Sequence, residues 1–195
     1  DRISCGRGFL QSKYVICRSQ WILRTLQSAI LPSAWSMLYT AIDHSFGGLA
    51  RHYSSPTLPA PELPALFAEL QAMGLKLGVA TNDNTASAHA AIEQLGIGDW
   101  VDFVAGYDSV STPKPAPDMV LAFCAACAVT PDQVLLIGDT LTDMETGHEA
   151  KTGLKIGVLS GNGTAAGLMP RADALLADVG GLPAFLAGKT GAARR

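Results

Sequence analysis

The sequence predicts an α/β fold in which helices flank a parallel sheet, and three observations predict it. From about residue 59 short apolar runs alternate with helical patterns at the spacing of parallel strand–helix units. Runs such as "LKLGVA" and "QVLLIGD" are apolar almost throughout, as strands covered on both faces are. Two of them run into clusters of small polar and acidic residues, "GVATNDN" at 78–84 and "IGDTLTDMETG" at 137–147, which is how parallel strands deliver functional groups to one edge of a sheet.

Taken in order, residues 1–58 form an atypical segment rich in Ser and Arg. Its longer part, "WILRTLQSAILPSAWSMLYTAIDHSFGGLARHYSS", reads as helical and broken once at Pro32. The proline-studded "SPTLPAPELP" reads as a linker into the regular unit, residues 59–195. There "PELPALFAELQAMG" predicts an amphipathic helix ending at Gly74, followed by a buried strand at 75–80. A helix over "TASAHAAIEQLG", a strand over 102–106, and a helix from about Pro117 to Ala128 come next. "QVLLIGD" is the second strongly buried strand; a helix over "TDMETGHEAKTG", a strand "LKIGVL" and a last short strand near "ADALLA" complete the pattern. Right-handed crossovers would set all these strands parallel, and the tail "GKTGAARR" reads as frayed.

Composition excludes several classes of function. The chain of 195 residues carries 14 Lys and Arg against 17 Asp and Glu, a net charge of −3, without the basic stripe that grips nucleic acid. No run approaches the roughly 18–20 apolar residues of a membrane span, and no apolar leader with a small-residue cleavage site opens the chain. Cys5, Cys17, Cys124 and Cys127 are too few and scattered for a disulfide framework, so a reducing cytoplasm is expected. Cys124 and Cys127 form a C-x-x-C inside a helical, apolar stretch, where buried structural thiols are expected. The histidines, His44, His52, His89 and His148, form no cluster.

Three polar segments carry chemistry. Thr81 and Asn82 stand just beyond a strand, with Asp83 or Asn84 as cap of the next helix; a hydroxyl, backbone N–H groups and a helix N-terminus make either a phosphate cradle or an ordinary turn. Asp139 ends a strand and Asp143 follows four residues on, at a helix start. Carboxylates held that close repel unless a cation sits between them, and hard oxygens suit Mg²⁺; the alternative is a capping Asp beside a solvated one. Lys114, between two prolines in "STPKPAPD", sits on a stiff loop ahead of a helix, or is simply solvated.

Together these pieces resemble the haloacid dehalogenase-like hydrolase superfamily, and within it the phosphoglycolate phosphatase-like group. Thr81 and Asn82 match its second motif, Lys114 in "KPxP" its third, and Gly138, Asp139 and Asp143 its "GDxxxD". "GHEAKTGLKIGVLSG" is similar to the stretch that follows, with Lys151 and Thr152 in place of the usual small residues. The likeness covers roughly residues 59–185. It implies a Rossmann-like core with a small helical cap, Mg²⁺ as cofactor, and an aspartyl-phosphate formed by a nucleophilic Asp while a second Asp serves as acid and base. By this resemblance Asp139 would be the metal ligand, Asp143 a ligand or its support, Thr81 and Asn82 phosphate contacts, and Lys114 the stabiliser of phosphoryl charge.

The family's first motif, "DxDGT", is absent. Aligning "KYVICRSQWILRTLQS" puts Arg18 at the nucleophile, Gln20 at the acid/base and Trp21 at the glycine, none of which can serve. The other candidate nucleophile is Asp43 in "LYTAIDHSFGG", with Ser45 at the acid/base position, although Ala41, Ile42, Phe46 and Leu49 also read as one helix face. The resemblance places the first strand in mid-sheet, so "YVIC", the run around "MLYTAI" or a strand from a second copy in a homodimer must fill that slot. The expectations are then a cytoplasmic Mg²⁺-dependent phosphatase acting on a small, phosphoglycolate-like phosphorylated metabolite, a relative that binds Mg²⁺ and phosphate without turnover, or another hydrolase on the same scaffold.

Overall fold

Every strand of the sheet except one ends at the same edge, and that exception occupies its middle. The structure is a computed structural model that describes residues 15–18 and 63–192. Six strands form one sheet: β1 (Val15–Arg18), β2 (Leu75–Ala80), β3 (Phe103–Ala105), β4 (Leu135–Gly138), β5 (Leu154–Val158) and β6 (Ala174–Leu176), in the order β3-β2-β1-β4-β5-β6. The helices are α1 (Leu63–Ala72), α2 (Thr85–Gln94), α3 (Asp118–Cys127), α4 (Leu141–Glu149), the single turn α5 (Ala165–Leu168) and α6 (Leu182–Ala192). The fold is α/β as expected, and the mid-sheet slot is filled from the "YVIC" region. The helical reading of the N-terminal segment, the linker and Asp43 lie outside the described residues.

The strands expected to be parallel are parallel, and the middle strand β1 runs against them. β2 pairs parallel with β3, and β4 with β5 and β5 with β6, but β1 is antiparallel to both its neighbours. Cys17 lies opposite Lys76 and Arg18 opposite Leu75, while Val15 and Ile16 lie opposite Leu136 and Leu135. A four-residue apolar run carries no mark of its direction, and either direction pairs its N–H and C=O groups on both sides. Antiparallel ladders are slightly the more stable per residue.

Apolar periodicity seats the helices. Leu63, Leu66, Phe67 and Leu70 follow the spacing of one helix face, and all are buried in α1. The turn into β2 passes through Gly74 at φ 77°, a left-handed conformation that costs glycine nothing. Across the sheet, Met119, Val120 and Phe123 of α3 are fully buried, with the Phe123 ring edge-on to Phe103 at 5.4 Å between centroids. The frayed-tail expectation is also corrected: α6 continues through "GKTGA" to Ala192.

A repeated device fixes the outer strands. "LKLGV" of β2 and "LKIGV" of β5 each carry a lysine at the second position, and each faces an aspartate just ahead of the neighbouring outer strand. Asp102 accepts the Leu77 N–H at 2.8 Å and pairs with the Lys76 ammonium; Asp173 accepts the Lys155 N–H and ammonium, each at 2.7 Å. Exposed ion pairs of this kind contribute little by their charge. Their backbone hydrogen bonds define where β3 and β6 begin.

The central position of β1 makes it sensitive to loss of a ladder hydrogen bond. Ile16→Pro is expected to leave at least one backbone partner unsatisfied and lower stability by about 1–3 kcal/mol, read as a shift in the urea midpoint.

Candidate active site

Because β1 is antiparallel to both β2 and β4, those two strands run the same way and end at one edge, where they present Thr81 and Asp139. Thr81 is fully buried; its N–H donates to the Ala105 carbonyl at 2.9 Å, and its Oγ1 accepts the Asp83 N–H at 2.9 Å. The hydroxyl therefore closes a small turn that turns Asn82 toward the next loop. Asn82 Nδ2 donates to the Lys114 carbonyl at 3.3 Å, and its Oδ1 is buried without a hydrogen-bond partner among the described residues.

The helix start that follows differs from its expected role. Asn84 caps α2, its side chain accepting the Ser87 N–H at 2.8 Å, while the Thr85 N–H and hydroxyl donate to Asp108 Oδ1 at 2.8 and 2.6 Å. These protein acceptors engage N–H groups that the sequence reading offered to a phosphate. The Thr85 hydroxyl first, and its N–H second, hold the Asp108 carboxyl below its ordinary range. The Thr85 and Ser87 N–H groups of the first turn of α2 are thus engaged within the protein.

Lys114 is the next component. It follows Pro113 and forms a cis peptide with Pro115, and its side chain is almost wholly buried. Its Nζ meets Asp143 Oδ1 at 2.8 Å. The other carboxylate oxygen of Asp143 accepts the Thr140 N–H at 3.0 Å and the Thr140 hydroxyl at 2.6 Å, and Thr140 Oγ1 accepts the Asp143 N–H at 3.3 Å. This is a capping box in which the usual glutamate is an aspartate, so the charge stays against the helix end. A Cβ on Gly138 would stand 2.2 Å from that of Asp143, so only glycine lets α4 close over the strand end.

Asp139 is fully buried on the same edge. Its Oδ2 accepts the Asn162 N–H at 2.7 Å. A Cβ on Gly161 would fall 1.9 Å from Oδ2, and one on Gly163 would fall 2.1 Å from the Asp139 carbonyl oxygen. The loop after β5 therefore wraps the aspartate at backbone distance. Sequence reasoning did not single out this loop, although two glycines in "SGNG" directly after an apolar strand are the signal of a close backbone approach.

The structure thus links Thr81, Asn82, Lys114 and Asp143 through adjacent hydrogen bonds, with Asp139 heading the same strand-to-helix turn as Asp143. Arg18 does not join them. It pairs with Leu75 at the amino end of β2, the opposite edge of the sheet, which removes it from the nucleophile position the resemblance gave it. Gln20, Trp21 and Asp43 lie outside the described residues. Cys124 and Cys127 sit on α3, where burial first, and mutual charge second for Cys124, push the thiols up to about 12 and about 11, so neither supplies a thiolate at neutral pH. His89 and His148 are exposed on different helices.

The fold is thus a mostly parallel α/β sheet with a buried lysine–carboxylate pair and a second buried aspartate near the carboxyl ends of its inner strands. Residues 38–151 match the model of the haloacid dehalogenase-like hydrolases, and the chain belongs to this family. It is 36% identical over 125 residues to the phosphoglycolate phosphatase of Rhodospirillum rubrum, covering 62% of this chain and 51% of that protein. To the N-acetylmuramic acid 6-phosphate phosphatase of Pseudomonas aeruginosa it is 33% identical over 101 residues, 52% of this chain and 45% of the relative. A hydrolase from Pseudomonas syringae of known crystal structure superposes with a TM-score of 0.59 at 27% identity, covering 66% of this chain and 60% of that one. The chain spans about half the length of the curated relatives it matches.

Removing one member of the buried pair strands the other. Lys114→Met is expected to cost about 3–5 kcal/mol in denaturant unfolding, whereas Lys114→Met combined with Asp143→Leu should recover much of that loss.

Proposed function

We propose that this chain is a Mg²⁺-dependent phosphatase of the haloacid dehalogenase-like kind, acting on a small phosphorylated metabolite. The observation that carries the reading is the buried Lys114–Asp143 pair, set between the Asn82 turn and Asp139 on one sheet edge. A buried ammonium is held there by a carboxylate, and a phosphoryl group is the ligand whose charge it can share without being left unpaired. Thr81 and Asn82 flank it as the polar contacts. Phosphoglycolate is the first substrate to test, because the relative from Rhodospirillum rubrum is named for that activity.

The residues present fit a magnesium ion. The donors are hard carboxylate oxygens, and Mg²⁺ is commonly held by one or two carboxylates together with water and substrate phosphate. Among the described residues no third His, Cys, Asp or Glu joins them. Both oxygens of Asp143 are engaged by Lys114 and Thr140, so Asp139 is the principal ligand and Asp143 chiefly the partner that orients Lys114. When bound, the ion would neutralise charge on the phosphoryl oxygens. Lys114 orients and stabilises the same group, and the loop around Asn162 holds the Asp139 carboxylate in one orientation.

A second reading is favoured by one observation. The family's nucleophile belongs at the carboxyl end of the middle strand, and here that end, Arg18, lies at the far edge of the sheet. On this reading the chain keeps the phosphate and Mg²⁺ site but does not turn over, unless Asp43 supplies the nucleophile.

Hydrolysis of p-nitrophenyl phosphate with and without Mg²⁺ separates the two, alongside calorimetric titration of inorganic phosphate with Mg²⁺ present. The phosphatase reading expects Mg²⁺-dependent turnover that falls about 10²–10³-fold in Asp139→Ala, and total loss in Asp43→Asn would identify the nucleophile. Phosphate binding that weakens in Lys114→Met, with no turnover by the parent, establishes the second reading. Absence of both turnover and phosphate binding in the parent protein overturns both.

A further inference from the structure

The loop after β3 is stitched to the strand end that carries Thr81 and Asn82 at every second residue. The Ala105 carbonyl accepts from Thr81 N–H at 2.9 Å, the Tyr107 N–H donates to the Asp83 carbonyl at 2.9 Å, and Asp108 Oδ1 accepts both donors of Thr85. The Gly106 N–H in turn donates to Thr85 Oγ1 at 3.2 Å. Gly106 itself admits no side chain: a Cβ there would lie 2.2 Å from the Thr85 nitrogen and 2.6 Å from Asp108 Oδ1. Residues 81, 83 and 85 are therefore each tied to the β3 loop, and Asn82 stands between two tied positions, its amide directed to the Lys114 carbonyl.

We propose that Asp108 is a positioning residue for phosphate binding, acting through Thr85 to fix the turn that carries Thr81 and Asn82. The proposal rests on the phosphate-site reading above. Asp108 touches no member of the site directly. Its carboxylate oxygen gathers two donors of the residue that begins α2, and with Tyr107 it anchors the turn from its far side. Without the Asp108 carboxylate the turn keeps the Thr81 bonds and the Tyr107 N–H to the Asp83 carbonyl, but Thr85 loses the acceptor of both its donors, and Asn82 gains freedom that phosphate must then remove on binding. A neutral acceptor of the same shape keeps the geometry of the anchor with weaker bonds, so Asp108→Asn separates geometry from charge.

The sheet provides its own control. Asp173 tethers the start of β6 to Lys155 at the opposite edge, again an aspartate holding an outer strand by a backbone N–H and a side-chain donor. It should affect stability and leave phosphate alone.

The test is calorimetric titration of inorganic phosphate, with Mg²⁺ present, into the 195-residue chain and its Asp108→Ala, Asp108→Asn, Thr85→Val and Asp173→Ala variants, with each Tm measured in parallel. The expected result is a loss of about tenfold in phosphate affinity for Asp108→Ala, the scale seen when residues supporting ligand contacts are removed. Thr85→Val should lose affinity in the same direction, Asp108→Asn should stay within about twofold of the parent because its Oδ1 still accepts both bonds, and Asp173→Ala should lower Tm without changing affinity. If Asp108→Ala does not fold, the Thr85→Val and Asp108→Asn pair carries the same contrast. Equal phosphate affinity in Asp108→Ala and Thr85→Val as in the parent, whatever their Tm, overturns the positioning role while the site reading stands. No phosphate binding by the parent overturns the site reading itself.

Discussion

An ammonium and a carboxylate can both be buried only in each other's company, and the site is arranged around that constraint. Lys114 arrives on a proline-bracketed loop and Asp143 on the first turn of α4, and each satisfies a charge that the other would otherwise leave stranded in a medium of low dielectric constant. The pairing settles more than itself. It draws the loop before α3 against the start of α4, brings the Lys114 carbonyl within reach of Asn82, and requires glycine at position 138 so that helix and strand can meet.

Strand ends are held here by the loops of their outer neighbours. Thr81 is fixed from the β3 side by the Ala105 carbonyl and Asp139 from the loop after β5 by the Asn162 N–H, the latter where a side chain on Gly161 or Gly163 would collide. The two halves of the sheet thus solve one problem alike: a functional group on an inner strand is oriented by main chain from the strand outside it.

The middle strand carries the tension between fold and chemistry. β1 supplies the pairing that β2 and β4 need, yet runs against them, so the sheet is complete while its central carboxyl end points away from the site. Satisfying backbone hydrogen bonds and delivering a nucleophile are separate demands. In this chain Val15–Arg18 meets the first and not the second.

Much of this was legible in the sequence. The strands at 75–80 and 154–158, the helices between them and the placing of Asp139 and Asp143 at a strand end and helix start follow from apolar runs bounded by small and acidic residues, because burial and capping are local in their demands, whereas Thr81 and Lys114 stood out only through the family resemblance. The extension of α6 through a glycine-rich tail was not legible, since glycine has weak helix propensity. Neither was the role of Asp108, nor the grip of the loop 160–163 on Asp139, because each depends on residues more than twenty positions away. By itself the sequence determined which groups reach a sheet edge. Only the tertiary structure decided the direction of the middle strand, which carboxylate faces Lys114 and which turn is anchored from outside, because these are settled by pairing partners that no local pattern names.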